Sequence, residues 1–194
     1  MWPWEHVVIG YLAFSALSHV RRREPPRAGE AVLVVVASLL PDLIDKPLAW
    51  SFQVASSGYG PAHSAFFVLP ALTVLCARWW VTGRPWRGVA FATGYLLHVP
   101  GDVFFNAVDG TVDPAVFLWP VLVHEPSGER AGFVAESVLR VGQFLAGLVS
   151  GDVSTYTTVQ LGLLGVAALL WLYDGAPVVR QAVDRTTEFL REHS

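Results

Sequence analysis

The chain has 194 residues, of which 53% are hydrophobic and 15% are charged, and its mean hydropathy is +0.46. Soluble domains carry about 25% charged residues, so this composition indicates a protein whose solvent is largely lipid. The net charge of −3 offers no basic surface for nucleic acid, and the single cysteine, Cys76, excludes an intrachain disulfide and a cysteine-based metal site. We treat residues 1–194 as a single domain, in keeping with this length.

Five apolar segments predict transmembrane helices, because a helix needs about 20 mostly apolar residues to cross a bilayer. In chain order they cover residues 4–20, 28–44, 64–81, 86–105 and 158–173. The sequence therefore predicts an all-α protein, a polytopic membrane helical bundle with about five transmembrane helices.

A sixth helical segment, residues 134–149, has a different pattern. Val134, Val138 and Val141 recur at helical spacing, whereas Glu136 and Arg140 share another face. Such a pattern is typical of an amphipathic helix that lies in the membrane interface or packs on the bundle.

The arginines predict the orientation, because cytoplasmic loops of membrane proteins are enriched in Lys and Arg. They cluster in the first connection, in the third connection and after the fifth span: Arg21, Arg22, Arg23, Arg27, Arg78, Arg84, Arg87, Arg180, Arg185 and Arg191. Five spans place all of these on one side. We expect a multi-pass cell-membrane protein with its N-terminus outside and residues 175–194 as a cytoplasmic tail.

Six ionisable side chains fall at predicted helix ends on the outer side. One starts the first span, two lie in LLPDLIDKP at the end of the second, one lies in YGPAHS before the third, and two lie in GYLLHVPGDVFF at the end of the fourth: His6, Asp42, Asp45, His63, His98 and Asp102. Ionisable groups in membrane segments are costly and mark functional sites. Their shared side predicts one site.

These residue types predict a divalent-metal site. His98 and Asp102 are four residues apart and Asp42 and Asp45 three apart, so each pair can project from one helical face. Imidazole nitrogen and carboxylate oxygen are ligands of Zn²⁺, which is the metal we expect. Three imidazoles and three carboxylates exceed one tetrahedral zinc, so the site can hold one or two ions.

Simpler interpretations exist for individual residues. A single His or Asp at a helix end is usually a cap or an interfacial group, and Asp45 stands next to Lys46 as in a surface ion pair. Two further residues could join the site: His124 in the predicted outer loop, and Glu5 beside His6.

The motifs WEHVVIGY, LLPDLID, GPAHS, GYLLHVPGD and LWP, in that order within residues 1–120, carry a family resemblance. The chain resembles the YdjM-like family of LexA-regulated, membrane-bound, metal-dependent hydrolases. The resemblance implies a hydrolytic metal centre and distant kinship with zinc-dependent phospholipase C. The residues it implies as the centre are His6, Asp42, His63, His98 and Asp102.

The chain departs from the family pattern at two places. Two residues, Leu43 and Ile44, separate the carboxylates of the second motif, where the family has one. In the third motif, usually His-Arg-Gly-x-Thr-His-Ser, the chain reads GYGPAHS, so Gly58 replaces the first His and Tyr59 the Arg.

These observations predict a membrane-bound metal-dependent hydrolase that cleaves a phosphoester or lipid-headgroup substrate with metal-activated water at the outer membrane face. Asp102 and Asp45 are the expected catalytic carboxylates, with Asp45 as a further ligand or the general base. Two alternatives remain: a metal-ion transporter or channel, whose ligands would be spread across the membrane depth, and a catalytically degenerate metal-binding membrane protein. A membrane lipid is the expected partner, and the oligomeric state stays open.

Overall fold

The computed structural model describes residues 1–108, 113–124, 128, 130–151 and 153–192. These residues form seven α-helices, one short 3-10 helix (Pro114–Val116) and no strand, which confirms the all-α prediction. The helices are α1 (Pro3–Arg22), α2 (Ala28–Trp50), α3 (Ala65–Val81), α4 (Pro85–Val108), α5 (Phe133–Ser150), α6 (Thr155–Tyr173) and α7 (Pro177–Glu192).

Helices α1, α2 and α4 form the centre of the bundle, and α3 packs against α4. The helices approach most closely at Gly10 and Gly94. A Cβ at Gly94 would lie 2.6 Å from the carbonyl oxygen of Val34, and one at Gly10 would lie 2.4 Å from Ser38 Oγ. Small residues at such a crossing let helix backbones approach each other. Phe14, like Val34, is fully buried beside this crossing.

Successive helices of the bundle run antiparallel, so each of its two ends collects the termini of several helices. At one end the ring centroids of His6 in α1 and His98 in α4 lie 3.7 Å apart. At the other, Arg22 of α1 bonds Glu30 of α2 at 2.7 Å and lies over the ring of Trp86 at the start of α4. We call these the His6 end and the Arg22 end.

Helix α2 extends six residues beyond its predicted end. Pro41 and Pro47 lie inside it, and it ends at Trp50 rather than near residue 44. A proline within a helix removes one backbone hydrogen bond but does not have to end the helix. The carboxylates of Asp42 and Asp45 therefore project from a continuous helix.

The LWP segment packs beside the start of α3. The backbone N–H of Ala65 donates to the carbonyl of Phe117 at 2.9 Å, and the rings of Phe67 and Trp119 lie 5.5 Å apart. This contact anchors the loop that precedes α3 at the His6 end.

Helix α5 contacts the His6 end at both its start and its middle. The N–H of Phe133 donates to Ser51 Oγ at 2.9 Å, just after the end of α2. Further along, the ring of Phe144 lies 5.5 Å from that of Trp2 and 5.1 Å from that of Trp4, at the start of α1. The helix predicted over residues 134–149 is confirmed, and it lies against this end of the bundle.

Helix α6 runs along α1 from the His6 end to the Arg22 end. The hydroxyl of Tyr156 donates to Glu5 at 2.5 Å. At the far end the buried Asp174 accepts hydrogen bonds from Tyr11 and Ser15 and contacts His19 Nε2, each at 2.7 Å. These three contacts tie the end of α6 to α1.

The segment predicted as a tail is largely helical. Residues Pro177–Glu192 form α7, which packs against α2; residues 193–194 lie outside the described part of the chain. The search for transmembrane spans missed this helix because its sequence is polar and contains no continuous apolar run.

Two helices in the described part of the chain, α5 with 18 residues and α6 with 19, are long and apolar enough to cross a membrane. Helix α3 is also apolar but has 17 residues. Both helices are largely exposed: 0% of an 18-residue apolar stretch of α5 is buried inside the protein, and 11% of the corresponding stretch of α6.

Candidate metal centre

Four buried side chains from two helices, α2 and α4, and from the turn before α3 converge at the His6 end. Asp42, His63, His98 and Asp102 each offer one ligand atom, and these atoms all lie within 4.8 Å of one another. Each of the four residues is at most 5% exposed. The group could hold a metal ion, in agreement with the prediction that these residues lie together.

The centre of the group is a pair of facing imidazoles. His63 Nε2 and His98 Nε2 are 3.1 Å apart. Asp42 Oδ1 lies 3.6 Å from each of these nitrogens. Asp102 Oδ2 lies 3.6 Å from the His98 nitrogen and 3.8 Å from the His63 nitrogen. Two carboxylates therefore flank the same two nitrogens.

The outer nitrogens of both imidazoles are bound elsewhere. His98 Nδ1 lies 2.7 Å from the carbonyl oxygen of Ser38, and His63 Nδ1 lies 2.8 Å from Asp45 Oδ2. A carbonyl and a carboxylate accept hydrogen bonds, so each Nδ1 donates one and the two Nε2 atoms are left facing each other. Such partners on the far nitrogen are typical of metal-ligating histidines.

This arrangement fits a bound cation. The two Nε2 atoms, 3.1 Å apart, need a positive charge near both of them, which a shared proton or a metal ion would supply. Asp42 Oδ1 and His6 Nδ1 are also buried with no hydrogen-bond partner among the described residues. Buried polar atoms are normally satisfied, and a divalent ion beside the nitrogens and carboxylates would satisfy Asp42 Oδ1.

Asp45 lies behind His63, outside the group of four. Its carboxylate accepts the backbone N–H groups of Gly60 at 2.9 Å, Ala62 at 3.2 Å and His63 at 3.0 Å, in addition to His63 Nδ1. It is 0% exposed. A Cβ on Gly60 would lie 3.2 Å from Asp45 Oδ1, so glycine allows the turn to approach the carboxylate. Asp45 thus holds both the turn and the His63 ring.

His6 lies beside the group rather than within it. Its ring stacks on that of His98, and its Nε2 is 3.3 Å from Asp102 Oδ1. The amino group of Met1 donates to the same oxygen at 3.1 Å. His6 is 2% exposed, which places an imidazole in contact with the group through Asp102.

The two additional candidates from the sequence lie elsewhere. His124 Nδ1 contacts Asp113 Oδ2 at 2.5 Å, and its ring is separated from the group by Tyr59. Glu5 accepts the backbone N–H of Trp2 at 2.6 Å and so caps α1.

Neighbouring side chains fill the space beside Gly58. A Cβ at this position would lie 3.2 Å from Lys46 Cγ and 3.6 Å from Trp50 Cζ2. Lys46 in turn forms an ion pair with Asp42. Lys46 and Trp50 thus occupy the space that a larger residue at position 58 would need, and Lys46 contacts the group of four through Asp42.

A cleft of about 580 Å³ opens beside Asp42, between the end of α2 and the first half of α5. Lys46, Arg130 and Arg140 line it, together with Trp50. Sequence reasoning did not assign these four to the site. The sequence predicted that Arg140 lies on the polar face of α5, but it gave no indication that this face lies near α2.

Comparison with known proteins decides the family. A family model described as YdjM inner membrane protein matches residues 1–181. The chain belongs to this family. The match confirms the family resemblance and shows a membrane protein of the YdjM family, whereas the kinship with phospholipase C stays a prediction. No curated protein matches the chain, and no solved structure does.

Proposed function

We propose that this YdjM family member is a membrane-bound metal-dependent hydrolase that cleaves a phosphoester or lipid-headgroup substrate at the outer membrane face. The observation that carries the proposal is the pair of facing Nε2 atoms of His63 and His98, 3.1 Å apart and flanked by Asp42 and Asp102. This set of nitrogen and oxygen donors matches the ligands of Zn²⁺.

Asp42, His63, His98 and Asp102 would hold the metal. When bound, a divalent ion lowers the pKa of a coordinated water from about 15.7 to about 7 and so supplies a nucleophile at neutral pH. The remaining residues orient the ligands: the Ser38 carbonyl aligns His98, and Asp45 aligns His63.

Proton transfer falls to His6 and Asp102 in this proposal. Among the described residues, the hydrogen bonds of Asp45 go to the turn and to His63, so we assign it the positioning of a ligand rather than the role of base. His6 Nε2 is 3.3 Å from Asp102 Oδ1 and its Nδ1 lacks a hydrogen-bond partner among the described residues. A histidine in this position can accept or release a proton during hydrolysis.

The membrane arrangement we propose has five transmembrane helices, α1, α2, α3, α4 and α6, with α5 in the outer interface. Helix α5 begins beside Ser51 and touches Trp2 and Trp4 further along, and α6 begins beside Glu5. All of these contacts are at the His6 end. An 18-residue helix is about 27 Å long, so a spanning α5 would deliver the start of α6 to the opposite end.

Orientation follows from the charges at the Arg22 end. The connection between α1 and α2 and the one between α3 and α4 carry Arg23, Arg27 and Arg84. Positive loops favour the cytoplasmic side. The metal centre would then face outward, at the depth of lipid headgroups, which supports a lipid phosphate as substrate.

Elemental analysis of purified full-length protein tests the proposal, with wild type, His63→Ala and His98→Ala measured side by side. We expect one or two zinc ions per wild-type chain, loss of metal in both variants, and loss of phosphoester hydrolysis with it. His19→Ala removes an imidazole at the Arg22 end and should keep both metal and activity. Unchanged metal content and unchanged hydrolysis in His63→Ala and His98→Ala would refute the proposal.

A further inference from the structure

The cleft beside Asp42 contains a cluster of cationic side chains around one indole ring. The Lys46 Nζ atom lies 5.7 Å from the ring centroid of Trp50, and the guanidinium carbons of Arg130 and Arg140 lie 5.3 Å and 6.0 Å from it. These side chains come from α2, from α5 and from the loop before α5. Cations gain from contact with an aromatic face, but three of them also repel one another.

Among the described residues, two carboxylates pair with these three cations. Lys46 pairs with Asp42, and Arg130 and Arg140 share Glu136 at 3.4 Å and 3.9 Å. Asp42 would itself be a metal ligand. The cleft is thus electropositive beside the proposed metal centre, which is the field that attracts an anion.

Two hydrogen-bond donors in the cleft wall have no acceptor. The indole Nε1 atoms of Trp4 and Trp50 are buried without a hydrogen-bond partner among the described residues, and both side chains line the cleft. Buried indole N–H groups usually find a partner. A ligand with several acceptor oxygens would meet the cations of the cleft.

Part of the cleft lining, which we call the apolar wall, is hydrophobic. It consists of Leu39 and Leu43 from α2 and Phe133 and Val141 from α5. Leu43 is 50% exposed, so the apolar wall continues onto the outer surface of α2. A ligand that fills the cleft therefore has an anionic part near Trp50 and an apolar part that leaves between α2 and α5.

We infer that the cleft binds an anionic amphiphile through its phosphate group, which contacts Lys46, Arg130 and Arg140, with its hydrocarbon part between α2 and α5. The inference rests on the proposed function in one respect: the ligand is taken to be the substrate or product of the neighbouring metal centre. The guanidinium group of arginine suits a phosphate, because two of its N–H groups are parallel and can donate to two phosphate oxygens.

A binding titration with dodecyl phosphate tests the inference on full-length protein in a neutral detergent, followed by tryptophan fluorescence. We expect saturable binding by wild type and a loss of affinity of roughly ten- to a hundredfold for Lys46→Gln, Arg130→Gln and Arg140→Gln, the range expected for a lost hydrogen bond to a charged group.

Two control variants separate charge from structure. Glu136→Gln removes a carboxylate that pairs with both arginines, so binding should become tighter. Weaker binding would show that these ion pairs act only in folding and would overturn the inference. Arg87→Gln removes a cation at the Arg22 end and should leave binding unchanged. The unfolding temperature of each variant identifies any that fails to fold, and Arg140→Lys, which keeps the charge, should retain part of the affinity.

Competition identifies the source of the phosphate. Inorganic phosphate should displace dodecyl phosphate only weakly, because it gains nothing from the apolar wall. Equal competition by inorganic phosphate would overturn the assignment of an amphiphile, and equal affinity for an uncharged dodecyl compound would overturn the assignment of a phosphate.

The same titration in His98→Ala distinguishes this inference from the proposed function. Because the cations lie outside the metal group, binding should persist within about threefold when the metal is lost. Binding that disappears with the metal overturns the cleft assignment. If wild type and His98→Ala bind alike but wild type hydrolyses no phosphoester, the cleft assignment stands and the hydrolase proposal fails.

Discussion

His63 Nε2 and His98 Nε2 face each other at 3.1 Å although their residues are 35 positions apart in the chain. The Ser38 carbonyl and the Asp45 carboxylate orient these two rings from behind. The pair is therefore held by groups outside the group of four, and this makes the roles of individual residues separable by mutation.

Asp45→Asn should weaken metal binding without removing a ligand. The substitution replaces one acceptor oxygen by a donor, so it disturbs both the 60–63 turn and the orientation of His63. Loss of such a supporting group typically costs about 10- to 100-fold in metal affinity. Competition against a chelator measures the affinity, with Asp113→Asn, which removes the carboxylate beside His124, as the control. Unchanged affinity in Asp45→Asn would contradict the positioning role.

His6→Gln should separate metal binding from catalysis. Because His6 contacts the group through Asp102 and stacks on His98, we expect the bound metal to remain. The rate of phosphoester hydrolysis should fall by roughly 10²- to 10⁴-fold, the usual contribution of a general acid or base. The measurement pairs metal content with kcat. A variant that loses its metal would instead identify His6 as a ligand.

The helix crossing should tolerate no added methyl group. A Cβ at Gly94 would lie 2.6 Å from the Val34 carbonyl oxygen, so Gly94→Ala should lower the free energy of unfolding by about 1–3 kcal/mol. Gly162→Ala in α6 is the matched control, since nothing lies within 4 Å of its Cβ position. It should be neutral or stabilising by up to about 1 kcal/mol. Thermal unfolding in detergent compares the two, and equal effects would argue against the close packing of α1, α2 and α4.

Asp174→Ala should loosen α6 from α1. The variant removes the acceptor for Tyr11 and Ser15 and the partner of His19. Leaving buried donors unsatisfied costs about 1–3 kcal/mol per group, so we expect a clear fall in the unfolding temperature. Asp184→Ala, which removes an exposed carboxylate from α7, is the control and should change little. Similar stability of the two variants would mean that the Asp174 contacts do not anchor α6.

Labelling of introduced cysteines tests the membrane arrangement in a Cys76→Ser background. Ala131→Cys and Ser150→Cys flank α5 and should both react with a membrane-impermeant maleimide on intact cells. Thr82→Cys, between α3 and α4, should react only after permeabilisation. If α5 crossed the membrane, residues 131 and 150 would be labelled from opposite sides.

Much of the metal group could be predicted because it depends on local spacing. The separation of His98 and Asp102 by four residues decides that they share a helical face, and the arginines predict which helix ends lie together. The role of Asp45 could not be predicted in this way. It depends on a turn at residues 60–63 that folds around the carboxylate, and this is a tertiary contact with no periodic signal.

The cleft could not be predicted from the sequence for a related reason. Lys46 and Trp50 lie beyond residue 44, where the end of the helix was expected, and they line the cleft only because α2 continues to residue 50. Arg140 reaches the same cleft because α5 lies against the His6 end. The continuation of a proline-containing helix and the docking of an amphipathic one are both decided by tertiary packing, which outweighs local propensity.

Ser38 takes part in two structures at once. Its hydroxyl lies in the crossing with Gly10, while its carbonyl oxygen holds the ring of His98. A shift of α1 along α2 would therefore change the orientation of the His98 ring, and a bound metal ion would oppose this shift. Loading the site with metal should thus stabilise the contacts among the three central helices, so that chelation destabilises the whole bundle and not only its His6 end.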